Sequence, residues 1–246
     1  MPSELLTNVN AAPVHWYDTL DNTNQHARQL LRQAQTQGET HPHGLVVATW
    51  HQTQGKGAGW GRQWHSQSGQ ALCLSWAMAQ PAVPVAYQAW WPHAAGWRVH
   101  QALKQHLPTL PLALKPLNDL WLMGDAASQP QGSVGKLGGI LIESGHNASD
   151  ASLSWVVVGL GINWRPLASS VAATLPYPAA NLHDALAMYG QPNPTLTLEA
   201  VATALVATLA CSQTGLPSVA HQWLASPQQA ELTLQQWRNV LHHPKN

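Results

Sequence analysis

The chain has 246 residues, and Lys+Arg 11 against Asp+Glu 11 gives a formal net charge of +0 at pH 7. This length allows one large domain or two small ones with a sizeable core. Charged residues make up 9% and hydrophobic ones 45%, which excludes a disordered chain, a general nucleic-acid binder and a polybasic membrane patch. In chain order, Asn22 or Thr23 is placed to cap a helix over 23–37, with Ala27, Leu30, Leu31 and Ala34 at helical spacing and Gly38 at its end. Gly44 to Trp50 reads as a buried strand, followed by a glycine-rich loop over 54–62. Gln70 to Met78 alternates Leu72, Leu74, Trp76 and Met78 with Ala71, Cys73, Ser75 and Ala77, a strand with two different faces. A helix is expected over 85–107, kinked or broken at Pro92. Two short strands are expected within 112–123 around a turn at Pro116 to Asp119, then a polar loop over 124–135. Lys136 to Ser144 and Leu153 to Ile162 have the lengths of a hairpin, and helices are expected over 180–189, 197–213 and 217–225. The order of strands and helices predicts a mixed α/β or α+β domain without internal repeats or a dividing linker.

Trp 13 with Phe 0 indicates that tryptophan has taken the core role of phenylalanine. Cys73 and Cys211 lie in apolar runs and read as buried thiols of a reducing compartment, hence a cytoplasmic location is expected. Met1 to Pro13 lacks the pattern of a signal peptide, and no apolar run is long enough for a transmembrane helix. The 14 histidines lack metal-ligand spacing, so no metal site is expected.

With so few cations, their positions are informative. Lys56 and Arg62 flank the alternate glycines Gly55, Gly57, Gly59 and Gly61; Lys115 precedes Pro116-Leu117-Asn118-Asp119; Lys136 opens Leu137-Gly138-Gly139-Ile140. Turn and glycine backbone presents N–H groups to an anion, and an adjacent cation adds charge, so a phosphate site is one reading. Solvated turns with incidental charge are the plain alternative. The glycine loop is neither a P-loop nor a dinucleotide fingerprint, because a strand follows it. Asp119 serves equally well as a turn-stabilising carboxylate.

Six segments in order carry a resemblance: Asp21-Asn22-Thr23-Asn24-Gln25, Gln52-Thr53-Gln54-Gly55-Lys56-Gly57, Gly61-Arg62-Gln63-Trp64, Lys115 to Leu120, Lys136 to Glu143, and Val158-Gly159-Leu160-Gly161-Ile162-Asn163. Together they resemble the catalytic domain of biotin protein ligases. The resemblance implies an α+β fold, a mixed and mainly antiparallel sheet flanked by helices, as in class II aminoacyl-tRNA synthetases. It implies activation of biotin by ATP with Mg²⁺ to biotinyl-5′-AMP, then transfer to a lysine of a biotin carboxyl carrier protein. It further implies roles for single residues. Lys115 is the first choice for catalysis, with Arg62. Asn22, Thr23, Gln52, Gly55, Lys56 and the backbone at Gly138 and Gly139 belong to the biotin site. Lys56, Arg62, Lys136, Asn118 and Asn163 belong to the nucleotide site.

The sequence also departs from the family pattern. Asn22 stands where the family has serine, and Pro116-Leu117 replaces Trp-Pro, which removes a flat ring beside Lys115. Ala58-Gly59-Trp60 stands in place of family arginines, and Lys56 replaces a further one, so faster escape of the adenylate is expected. Too few residues precede Asp21 for a DNA-binding winged helix, so a form without nucleic-acid or membrane partners is expected, as a monomer or homodimer. The catalytic domain is expected over 1–225, with 226–246 a remnant of the family's small β-barrel, such as Glu231 to Trp237. Two alternatives stand beside this reading: lipoate or octanoyl transfer within the same superfamily, and a non-catalytic biotin- or nucleotide-binding relative.

Overall fold

The computed structural model describes residues 11–59, 61–81, 91–115, 118–124, 134–146, 153–190 and 198–211, with 213, 215, 216, 218 and 219. Seven strands form one sheet: β1 (Val14–Tyr17), β2 (Leu45–Thr49), β3 (Ala71–Pro81), β4 (Leu112–Lys115), β5 (Asp119–Leu122), β6 (Gly135–His146) and β7 (Leu153–Asn163). Their spatial order is β1-β2-β3-β7-β6-β5-β4. β1 runs parallel to β2 and every other pairing is antiparallel. This is the mixed, mainly antiparallel α+β sheet that the resemblance implies. Five helices accompany it among the described residues: α1 (Thr23–Thr36), α2 (Trp91–His106), α3 (Ser169–Ala172), α4 (Leu182–Tyr189) and α5 (Leu198–Ala210).

The alternation in β3 sorts the molecule into two layers. Leu72, Leu74 and Trp76 join the large core, where α2 supplies Trp91, Val99 and Leu103 and α5 supplies Val201, Leu205 and Leu209. Ala77 faces the other way, into a small core where Ala27 and Leu31 of α1 meet Leu45, Val47 and Val157. Apolar burial of this kind stabilises by about 25 cal/mol per Å², so the many-residue layer holds the sheet together and the α1 layer is the thinner one. α1 begins where the sequence indicates: Asn22 is extended and its side chain accepts from the Gln25 N–H at 3.0 Å. A second asparagine cap, Asn181, accepts from the Asp184 N–H at 2.9 Å and starts α4.

Several expectations shift. β1 and α3 were not legible: β1 is four half-buried residues with no alternation, and α3 is one turn with no buried residue. The expected helix over 85–107 is seen as Trp91–His106, with 82–90 outside the described residues. Pro92 lies in its first described turn, and the helix runs on from it to His106. The last expected helix, the loop over 125–133, Pro116-Leu117 and the remnant over 226–246 fall outside the described residues, apart from helical positions at 216, 218 and 219. No helix among the described residues is long and apolar enough to cross a membrane.

Candidate functional site

On the α1 side of the sheet, beyond the small core, apolar side chains give way to glycines. Gly139 of β6 pairs with Gly161 of β7, and Gly159 lies two residues along. A methyl group at Gly161 would stand 2.4 Å from Cε2 of Trp64, and one at Gly159 would stand 2.2 Å from Oδ1 of Asn24. The strip is therefore a flat floor on which Trp64 and Asn24 rest directly. Above it opens a cleft lined by the first residues of α1, by Lys56 and Gly57 of the glycine loop with Gln52 and Trp64 on either side of it, and by Asn118, Lys136 and the floor.

One end of the cleft is polar and buried. The Thr23 N–H donates to Gln52 Oε1 at 2.6 Å, and Thr23 Oγ1 stands 3.0 Å from the same oxygen. Ser75 Oγ lies 2.7 Å from Thr23 Oγ1 and 2.6 Å from Asn24 Oδ1, and Asn24 Nδ2 donates to Glu143 Oε2 at 2.8 Å. Thr23, Asn24, Gln52 and Ser75 are all buried, where each polar atom needs a partner. Cys73 lies beside them; burial pushes its thiol up to about 12, against weaker opposing hydrogen bonds from Gln52 and Ser66. It therefore carries no thiolate chemistry at neutral pH.

The other end is cationic. Lys136 Nζ lies 2.7 Å from Asp119 Oδ1 and 5.0 Å above the Tyr177 ring. Lys136 also lines a second depression, with Trp64, His65, Asn163 and Tyr177 in its wall. The two depressions share Trp64 and Lys136 in their walls. The glycine loop closes as a small hairpin: Gly57 N–H donates to Arg62 O at 2.9 Å and Trp64 N–H to Gly55 O at 3.0 Å. Among the described residues no group of three or more His, Cys, Asp or Glu could hold a metal ion.

No family model matches the sequence, and no curated protein matches it. Solved structures do match. The biotin protein ligase of Leishmania major in complex with biotinyl-5-AMP aligns with TM-score 0.55 and 20% identity, over 78% of this chain and 71% of that one. The biotin protein ligase of Aquifex aeolicus aligns with TM-score 0.52 and 17% identity, over 93% and 74%. A biotin protein ligase-like protein of unknown function from Silicibacter aligns with TM-score 0.53 and 18% identity, over 94% and 78%. The chain has the biotin protein ligase fold.

Within that fold, Asn22, Thr23, Gln52, Lys56, Asn118, Lys136 and Gly139 line the cleft together. Gly55 and Arg62 lie with Lys56 along the outer hairpin, and Arg62 is exposed. Gly138 faces the core instead of the cleft: a methyl group there would meet Gly161 O at 2.6 Å and Leu120 at 3.3 Å. Asn163 donates its amide to the carbonyls of Ala180 at 3.0 Å and Lys136 at 3.3 Å, so its amide nitrogen serves the wall of the second depression. Asn118 similarly donates to Ile140 O at 3.0 Å and ties its turn to β6. Lys115 lines neither chamber; its ammonium sits 5.0 Å above the Trp121 ring. Trp121 thereby supplies, from β5, a flat ring beside Lys115 of the kind that Pro116-Leu117 lacks. Trp64, Ser75 and Glu143 are site residues to which sequence reasoning assigned no role, and Asp119, read there as a turn carboxylate, pairs with Lys136 instead. Ser75 had a signal, being the one hydroxyl in an otherwise small apolar face of β3.

Proposed function

We propose that the chain belongs to the biotin protein ligases, activates biotin with ATP to biotinyl-5′-AMP, and transfers the biotinyl group to a lysine of a biotin carboxyl carrier domain. The observation that carries this reading is that two depressions share Lys136 in their walls, one ending in buried amide and hydroxyl groups and the other walled by aromatic rings. The reaction needs such a junction. A carboxylate oxygen attacks the α-phosphorus and pyrophosphate leaves, so negative charge grows on the phosphoryl oxygens between the two substrates. Lys136, oriented by Asp119, would stabilise that charge, and Thr23 with Gln52 would hold the ureido ring at the far end. Lys56 and Arg62 on the hairpin would meet the phosphates as the loop folds over them. Mg²⁺ would arrive as the counter-ion of the triphosphate.

The test is incorporation of labelled pyrophosphate into ATP. Exchange that requires biotin, and is not supported by lipoate or octanoate, is expected. A second reading is a relative that binds biotin or a nucleotide without catalysis; it is favoured by the seat of Lys115 on Trp121, away from both chambers. Biotin binding with no exchange would select it over the ligase.

A further inference from the structure

The hairpin that carries Lys56 and Arg62 is fastened to the molecule at its base. Its rungs, Gly57 N–H to Arg62 O at 2.9 Å and Trp64 N–H to Gly55 O at 3.0 Å, join its two arms to each other. The second arm rests on the glycine floor through Trp64. The first arm, residues 51–54, lies along residues 20–22, which lead into α1. Leu20 N–H donates to His51 O at 3.0 Å, Thr53 N–H to Leu20 O at 2.9 Å and Gln54 N–H to Asp21 O at 2.9 Å. The next bond in this series comes from a side chain: Asn22 Nδ2 donates to Gln54 O at 3.2 Å. The backbone of Gln54 is thereby held at both of its polar groups.

Asn22 is buried and is also the N-cap of α1. Its carbonyl accepts the His26 N–H at 3.0 Å, and its Oδ1 accepts the Gln25 N–H at 3.0 Å. The cap needs an oxygen at that point, so it decides which end of the amide faces the helix and leaves the amino group facing Gln54. One side chain thus serves a helix end and a hairpin base, and the two cannot part without breaking one of its bonds. We propose that Asn22 is a positioning residue: it makes α1 and the first arm of the hairpin one body, so that the hairpin opens only beyond Gln54 and Lys56 is held at the cleft. The brace itself does not depend on what the cleft binds. Its consequence for retention rests on the ligase reading, under which the brace sets how long biotinyl-AMP stays beneath the hairpin.

Two substitutions keep the cap and remove the brace. Serine and aspartate cap a helix about as well as asparagine. Serine ends short of the position that Nδ2 occupies, and aspartate keeps the shape but has no proton to donate. Trypsin offers a local readout, because cleavage of a native protein follows the population of opened states. In Asn22→Ser and Asn22→Asp, cleavage after Lys56 and Arg62 should be about three- to tenfold faster than in the parent, the effect of one lost hydrogen bond. Cleavage after Arg28 and Arg32, which lie in α1, should be unchanged, and melting temperatures should stay within about 5 °C of the parent. In single turnover, labelled biotinyl-AMP should leave Asn22→Ser faster by the same three- to tenfold. Unchanged cleavage after Lys56 and Arg62 in both variants overturns the proposal. So does equal acceleration at Arg28 and Arg32, or a larger fall in melting temperature in both variants, since Asn22 would then be plain support for α1. Adenylate release that is unchanged in Asn22→Ser overturns the role in retention. If the parent forms no adenylate, the ligase reading fails, and the digestion still decides the brace.

Discussion

Lys136 of β6 and Lys115 of β4 flank β5 from either side, and their surroundings differ. Lys136 is partly buried, paired with Asp119 and shared by both chambers, whereas Lys115 is exposed and rests on Trp121. A cation that meets developing charge contributes about 10²–10³ in rate. Lys136→Ala is therefore expected to lower biotin-dependent exchange by about that factor, and Lys115→Ala to lower it less. Equal losses in the two variants would show that Lys115 leaves the Trp121 ring when substrate binds. The motif pattern ranked Lys115 first because a cation before a turn is visible in sequence. The Asp119 pairing that distinguishes Lys136 depends on the register of β5 against β6, which no local pattern reveals. At Cys73 burial decides reactivity: with the thiol pushed up to about 12, iodoacetamide at pH 8 should leave it unlabelled in the native protein and modify it after denaturation.

At the scale of elements, the glycine strip and the hairpin constrain each other. Gly161→Ala would drive a methyl group into the Trp64 ring at 2.4 Å, and overpacking of this kind costs about 1–3 kcal/mol. Removing the ring as well should relieve the clash. Gly161→Ala with Trp64→Ala is thus expected to be less destabilised than the sum of the single variants, a coupling readable in a urea double-mutant cycle. The hairpin also locates where a missing arginine can be restored. Gly59 has φ +106 and admits a side chain only with strain, whereas Ala58 has ordinary backbone and lines the cleft. Under the ligase reading, Ala58→Arg should slow release of labelled biotinyl-AMP in single turnover by about ten- to a hundredfold, through a bidentate phosphate contact. Equal release from parent and variant would mean that Lys56 and Arg62 already hold the adenylate. The strands and helices with clear alternation or caps, β3, β6, β7 and α1, were legible in the sequence. β1 was not, because a short parallel edge strand is defined by its pairing with β2 and not by its own residues. The polar chain was half legible: Thr23, Asn24, Gln52 and Glu143 stood in motifs, while Ser75 did not, and the contacts that join them exist only when β3 and β6 come under α1.

For the whole molecule, acid is the expected weakness. Burial holds His15, His26 and His100 below the ordinary imidazole value of 6.5, with His41 and His26 adding to the effect at His15. Below about pH 6.5 the unfolded chain therefore binds protons that the folded chain refuses. The stability these groups contribute is complete above that pH and is lost as the pH falls toward their folded values. The urea midpoint should accordingly be lower at pH 5 than at pH 7.5, and His100→Gln should flatten the difference; a midpoint that rises with acid would contradict this. The contact between Asn24 and Glu143 spans 119 residues, and the central pairing of β3 with β7 also joins residues distant along the chain. Closing loops of that length is slow, and topologies dominated by such pairings fold on the order of milliseconds to seconds. The polar end of the cleft is then among the last parts to exist, absent from whatever barrier the chain crosses first. A molecule that binds there arrives too late to hasten folding, yet it must be released before the sheet can open. Biotin, if it is the ligand, should lengthen the lifetime of the folded state in proportion to its concentration and leave the refolding rate unchanged.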